Sequence, residues 1–243
     1  MNFRLKRYQK DFEHSYTFGV FPTLELLMHR PEQILGIVAH PKGQQNSGVV
    51  KIRQSCQNKG IPFEFQEKTL TRIGARENDY TVGVFHKIEP GLDVTANHVI
   101  LINPASLGNL GTIIRTMLGF GYRDLAIITP AADIFNPEVV RASMGALFQL
   151  NFESFPSFEA YRQKYARNFY PLMTDGQVPL PEASFEAPFG LIFGPESAGL
   201  PEEFHRLGTS LSIPQTNAID SLNLAVSVGI TLYQTILITD HLA

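Results

Sequence analysis

The chain has 243 residues and a mass of 27.1 kDa, with 44% hydrophobic and 18% charged residues. That leaves room for one large domain or two modest ones and excludes disordered, collagen-like and low-complexity classes. A single cysteine, Cys56, excludes an internal disulfide framework and any multi-cysteine zinc site.

The net charge of −3 argues against a protein that coats nucleic acid by charge alone, but the charge is uneven. Residues 1–90 carry 13 Lys and Arg against 9 Asp and Glu, a balance of +4. Residues 91–243 carry 7 against 14, a balance of −7. The basic segment is the candidate for a polyanionic partner.

The opening residues Met1-Asn2-Phe3-Arg4-Leu5-Lys6-Arg7 lack the apolar run of a secretory signal, so a cytoplasmic location is expected. Strand and helix patterns then alternate. Ile34–Ala39 reads as a strand, and Ser47–Lys59 as a helix stopped by Gly60 and Pro62. Pro62–Gln66 follows as a strand, Leu70–Ile73 as a short helix and Val82–Ile88 as a third strand. The turn chemistry of Glu89-Pro90-Gly91-Leu92-Asp93 coincides with the charge reversal. It sets the expected boundary between domains 1–90 and 91–243.

Beyond it, strands are expected at His98–Asn103, Asp124–Thr129, Leu150–Phe155, Phe169–Met173, Phe189–Phe193 and Ser210–Ile213. Helices are expected at Leu107–Phe120, near Pro137–Leu147, at Phe158–Arg167 and from about Ser221 to Thr239. Alternation of this kind implies a parallel sheet covered on both faces. The last helix has no charged residue between Asp220 and Asp240. Asn223, Ser227, Thr231, Gln234, Thr235 and Thr239 make it too polar for lipid, so a subunit interface is expected in place of a membrane span.

In an open parallel sheet, ligands bind in the loops after the strands. Three such loops carry polar and glycine-rich sequence: 103–112, leading to Arg115; 193–200; and 213–223. Arg115 lies between Ile114 and Met117 on a mostly apolar helix, where a guanidinium must meet a carboxylate or a phosphate. A pair with Glu196 would tie two loops together and nothing more. Other familiar readings fail on spacing. Gly108-Asn109-Leu110-Gly111 does not supply a dinucleotide fingerprint, and Gly194 and Gly199 stand at the wrong offsets from Ser197 for a hydrolase elbow. The seven histidines show no metal-ligand spacing, so no metal is expected.

Taken together, the loops resemble the three motifs of the SpoU/TrmH family of RNA ribose 2′-O-methyltransferases, within the SPOUT class. Asn109 and Arg115 stand in the first motif; Phe193, Gly194, Glu196, Gly199 and Leu200 in the second; Ile213, Pro214, Ser221, Leu222 and Asn223 in the third. The likeness is strong over about 98–238 and weaker over 18–88. The resemblance implies a parallel-sheet α/β SPOUT-type fold with a C-terminal trefoil knot, preceded by a small α/β ribosomal-protein-like RNA substrate-binding domain. It implies S-adenosylmethionine as methyl donor, held by Gly194, Ile213, Ser221 and Leu222, with Thr174 and the turn that follows it nearby. It implies Arg115, Asn109, Glu196, Ser221 and Asn223 as the catalytic set, with Arg115 taking a direct part in activating the hydroxyl. A guanidinium is a poor base, so an electrostatic role for Arg115, positioned by Glu196, is expected on physical grounds. The substrate would be ribosomal or transfer RNA and the assembly a homodimer. A non-catalytic RNA-binding or ribosome-assembly protein on the same fold, and an RNA base methylase, are the alternatives.

Overall fold

The computed structural model describes residues 5–239. Met1–Arg4, part of the segment read above for a leader, and Asp240, which bounds the uncharged run, lie outside the described residues. By its contacts the chain divides into two units: residues up to Glu89 together with Asp133–Gln149, and Pro90–Ala132 together with Leu150 onward. Residues 133–149 thus pack with the first unit, whereas a single cut at residue 90 would leave them in the second. The chain passes between the units three times.

The first unit is built from β1 (His14–Tyr16), α1 (Val20–His29), β2 (Ile34–Ala39), α2 (Ser47–Lys59), β3 (Phe63–Phe65), α3 (Glu67–Ile73) and β4 (Thr81–His86). Its sheet has the order β1-β4-β2-β3, with β2 parallel to β3 and the other pairs antiparallel. Helix α2 starts where the Asn46 side chain accepts from Gly48 and Val49 N–H, and stops at Gly60, whose φ of 68° suits glycine. The inserted segment contributes a short helix, α5 by chain order (Pro137–Ala142), and a 3-10 turn, Ala146–Gln149. Arg141 pairs with buried Asp79 at 2.6 Å, Ser15 Oγ donates to Phe135 O, and the Tyr8 hydroxyl donates to Asp133. Phe148 packs edge-on against Phe85 at 5.1 Å.

The second unit contains β5 (His98–Ile102), α4 (Leu107–Gly119), β6 (Asp124–Ile128), β7 (Asn151–Phe155), α6 (Phe158–Lys164) and β8 (Asn168–Leu172). It continues with β9 (Val178–Pro179), β10 (Phe189–Phe193), β11 (Leu211–Ser212) and α7 (Leu224–Thr239). Its seven strands run in the order β7-β6-β5-β10-β8-β11-β9, every adjacent pair parallel. Every residue of β5, β6 and β10 is buried, as the continuous apolar runs require. At one end of the sheet Gly91 N–H bonds Phe152 O across the outer edge of β7. At the other, β9 is two residues long and ends in Pro179.

Several elements differ from expectation. The helix expected from Ser221 starts at Leu224, because the Asn223 side chain caps it by accepting from Ala225 and Val226 N–H. The helix expected to reach Leu147 ends at Ala142, before Met144 turns to φ 53°. Helix α1 and the short strands β1 and β9 carry too little pattern to be read beforehand. Helix α7 buries Val228, Thr231, Leu232, Thr235 and Ile236 on its inner side, where it packs on α4. It leaves Val226, Ile230, Tyr233 and Leu237 exposed in a stripe at helical spacing. Among the described residues no helix is long and apolar enough to cross a membrane.

Candidate active site

Strands β5 and β10 lie side by side, with Leu101 opposite Phe193, so their outgoing loops emerge together at the carboxyl edge of the sheet. After β5 the chain turns through Asn103, whose φ of 48° suits asparagine, and enters α4 at Ser106. Ser106 Oγ caps the helix by accepting from Asn109 N–H at 3.2 Å. After β10 the loop 194–200 folds back on itself. A Cβ on Gly194 would lie 2.4 Å from the carbonyl carbon of Gly199, so this position admits only hydrogen.

That fold-back delivers the Glu196 carboxylate to the first loop. It accepts from Ala105 N–H at 3.2 Å, from Ser106 N–H at 3.1 Å and from Asn109 Nδ2 at 3.1 Å. Partial burial pushes its carboxyl up, but hydrogen bonds from its own N–H, Ala105, Asn109 and Ser106 outweigh that and hold it below the ordinary carboxylate range. Asn109 Oδ1 in turn accepts from Asn223 Nδ2 at 3.1 Å. One side-chain chain, Asn223 to Asn109 to Glu196, therefore joins all three loops.

Its polarity is fixed from both ends. Asn223 Oδ1 is committed to the α7 amides, so its Nδ2 must donate to Asn109, and Asn109 must donate onward to an ionised carboxylate. A carboxylate this saturated orients its neighbours and is a weak proton acceptor.

Beside this rim lies a cavity of about 320 Å³ lined by the ends of β8 and β10, the 194–200 loop and residues 213–227. The five residues expected at the donor, Thr174, Gly194, Ile213, Ser221 and Leu222, all line it, as does Glu196. Asn109, Asn223 and Arg115 do not. Its ionisable lining is acidic throughout: Asp175, Glu196 and Asp220. Asp175 opens the turn after Thr174 that was expected near the donor, and Asp220 belongs to the third loop, but sequence singled out neither carboxylate.

Arg115 corrects two expectations. The apolar face of α4 is formed by Leu110, Ile113, Ile114 and Met117, which turns Arg115 outward, exposed and not buried. Its side chain makes no ion pair or hydrogen bond with the described residues, and Glu196 spends its oxygens on the first loop and Asn109 instead.

Known proteins resemble this chain in sequence and in structure. Residues 96–233 match the model of the SpoU rRNA Methylase family. Over 147 residues the chain is 31% identical to a 23S rRNA (uridine(2479)-2′-O)-methyltransferase of Streptomyces viridochromogenes, covering 57% of this chain and 51% of that protein. Over 141 residues it is 31% identical to a tRNA (cytidine(34)-2′-O)-methyltransferase of Aeromonas hydrophila, covering 56% and 90%. An AdoMet-bound rRNA methyltransferase structure from Sinorhizobium meliloti superposes with a TM-score of 0.75 at 26% identity, over 95% of this chain and 88% of that one. The chain spans about half, or less, of the length of several curated relatives that it matches.

Proposed function

The chain belongs to the SpoU rRNA methylase family, and from that premise we propose that it methylates a ribose 2′-hydroxyl of ribosomal or transfer RNA, with S-adenosylmethionine as donor. The observation that carries this reading is the Asn223–Asn109–Glu196 chain, which gathers three loops into one rim beside the cavity.

The cavity suits the donor. Its size falls at the low end of small-molecule sites, and three carboxylates without a facing Lys or Arg favour a sulfonium cation. Thr174, Gly194, Ile213, Ser221 and Leu222 hold it in this reading, and when bound it supplies an electrophilic methyl group. Arg115, charged and unpaired, takes the target's phosphate or ribose and stabilises the oxygen as it loses its proton. A guanidinium is too weak a base to remove that proton itself. Asn109, fixed by Glu196, and Asn223 orient the acceptor, and Ser221 supports donor or hydroxyl. Much of the rate comes from holding the acceptor in attack geometry.

The first unit, carrying most of the basic charge, binds the RNA. A trefoil knot in the second is proposed from its membership of the family alone. A homodimer is supported by the exposed Val226–Ile230–Tyr233–Leu237 stripe on an uncharged helix, whose natural cover is the same stripe of a second copy. The cytoplasm is the proposed location.

Alkaline cleavage of RNA uses the 2′-hydroxyl as nucleophile, so a methyl on that oxygen protects one phosphodiester. Incubation with methyl-labelled donor and bulk RNA, then alkaline digestion, is expected to put label in dinucleotides. Label in mononucleotides alone would mean base methylation; no label with any RNA would mean a non-catalytic RNA binder or a missing partner.

A further inference from the structure

Outside that chain of hydrogen bonds, a second line of polar contacts ends at the cavity. The turn after β8 is stapled to the start of β11: Met173 N–H bonds Leu211 O at 2.8 Å, Val178 N–H bonds Ser210 O at 3.1 Å, and Gln177 N–H bonds Ser210 Oγ at 3.1 Å. Gly176 lies so close to β11 that a Cβ there would sit 2.3 Å from the Leu211 carbonyl carbon. The backbone of the turn is therefore fixed. What remains free is the Asp175 side chain at its tip, exposed and on the cavity wall.

His205 removes that freedom. Its Nε2 lies 3.3 Å from Asp175 Oδ2, and its Nδ1 lies 3.0 Å from the Oγ of fully buried Ser210. Gln177 N–H donates to Ser210 Oγ, Ser210 Oγ shares a hydrogen bond with His205 Nδ1, and His205 Nε2 stands within ion-pair distance of Asp175. The serine is no nucleophile, being sealed from solvent. Its hydroxyl sets the ring, and the ring sets the carboxylate. Asp175 Oδ1 has no partner among the described residues.

We infer that Asp175 is a donor-binding residue whose free oxygen accepts from the ribose hydroxyls of the methyl donor, with His205 and Ser210 as its positioning residues. This rests on the donor-site reading above. A fixed, unsaturated acceptor suits a vicinal diol, a pair of donors, as carboxylates do in other nucleotide sites. Placement agrees. In the sheet, β8 is two strands from β5, about 10 Å at ordinary strand spacing, so Asp175 faces the part of the donor remote from the Asn109 rim. Preorganisation by a hydrogen-bonded support is what gives such a contact its value.

Calorimetry on the full chain tests this with S-adenosylhomocysteine and with 5′-methylthioadenosine, which keeps the ribose but lacks the amino-acid arm. Asp175→Ala is expected to weaken both by about tenfold, the worth of roughly 1.4 kcal/mol. Weakening of S-adenosylhomocysteine alone would put the carboxylate on the ammonium and overturn the ribose assignment. No weakening of either would overturn the role of Asp175 while leaving the donor site standing. A wild-type chain that binds neither would overturn both. In steady-state assays His205→Ala is expected to raise the donor KM severalfold at unchanged kcat, with His205→Gln recovering most of the loss. A parallel fall in kcat and melting temperature, without recovery, would reduce His205 to a structural strut.

Discussion

Asn223 donates its side-chain amide to the carbonyl oxygen of Asn109 at 3.1 Å, although 114 residues separate them. Each is also bound on its other side, Asn223 to the first amides of α7 and Asn109 to Glu196. The helix that closes the chain and the helix that carries Arg115 are thereby placed by one line of hydrogen bonds.

This line predicts an inversion of the usual order of severity. Asn109→Ala is expected to cost about 1–3 kcal/mol for the partners left unmatched. It should slow methyl transfer by about two orders of magnitude, the scale for removing one preorganised donor. Asn109→Asp, nearly isosteric, is expected to be worse, because it cannot donate to Glu196 and sets a second carboxylate against it. Thermal melts and single-turnover rates of the two variants check this; an Asp variant milder than Ala would show that the line is not polarised as described.

Arg115→Ala is expected to leave stability within about 0.5 kcal/mol, as exposed, unpaired positions do. Donor affinity should stay within a few fold while methyl transfer is abolished, and Arg115→Lys should not restore it, since a point charge lacks the guanidinium fork. Calorimetry with S-adenosylhomocysteine separates the outcomes: lost donor binding would make Arg115 part of the donor site.

Burial of His98 lowers its pKa to about 4, with its ring held between the Tyr161 hydroxyl and Asp93 O. Below its unfolded pKa of about 6.5 the unfolded chain takes up a proton that the folded chain refuses, so stability falls with pH down to about 4 and then levels off. The full drop is roughly 3 kcal/mol, at about 1.4 kcal/mol per unit of pH. Urea midpoints at pH 7, 5 and 4 should show this slope, and His98→Gln should flatten it. An unchanged slope would move the acid sensitivity elsewhere.

Much of this was legible in sequence, and the failures have physical causes. The bounds of α2 were readable because both ends are local: an Asn46 cap and a Gly60 stop. The three loops were readable because their residue types are unusual and their order is fixed. The partner of Glu196 was not, because an arginine looks like the natural mate of a carboxylate, whereas helix rotation turns Arg115 away and brings an amide instead. Nor could sequence show that 133–149 packs with the first unit: its anchors, Asp79, Ser15 and Phe85, lie 50 or more residues earlier.

That insertion decides how the chain can be cut. Removing residues 1–89 strips the cover from Val139, Val140, Leu147 and Phe148, each at most 1% exposed and each worth about 1.5–3 kcal/mol of burial. The truncated chain is expected to aggregate. Replacing 133–149 by a flexible linker in the same deletion is expected to recover a soluble unit that binds donor, with weaker RNA binding and a shallower salt slope. Gel filtration and salt titrations check both; a well-behaved simple truncation would refute the account.

Charging the outer stripe of α7, as in Ile230→Glu with Tyr233→Glu, is expected to convert a dimer to a 27.1 kDa monomer without loss of fold, since neither side chain belongs to the buried face. Light scattering reads the mass. A wild-type monomer at micromolar concentration would remove the proposed interface.

The two ends of the large sheet carry a consequence for how copies of this chain can meet. Exposed strand edges are templates on which further strands add, in aggregates as in productive assemblies. Here one edge is already occupied at Phe152 by Gly91, and the other ends in a two-residue strand whose Pro179 has no N–H to offer. Both ends are thus less open to growth of the sheet by another chain than two long, bare strands would be. In the proposed dimer, self-association would use the helical face in place of open-ended addition of strands to this sheet, and contact between two copies there would close on itself and stop.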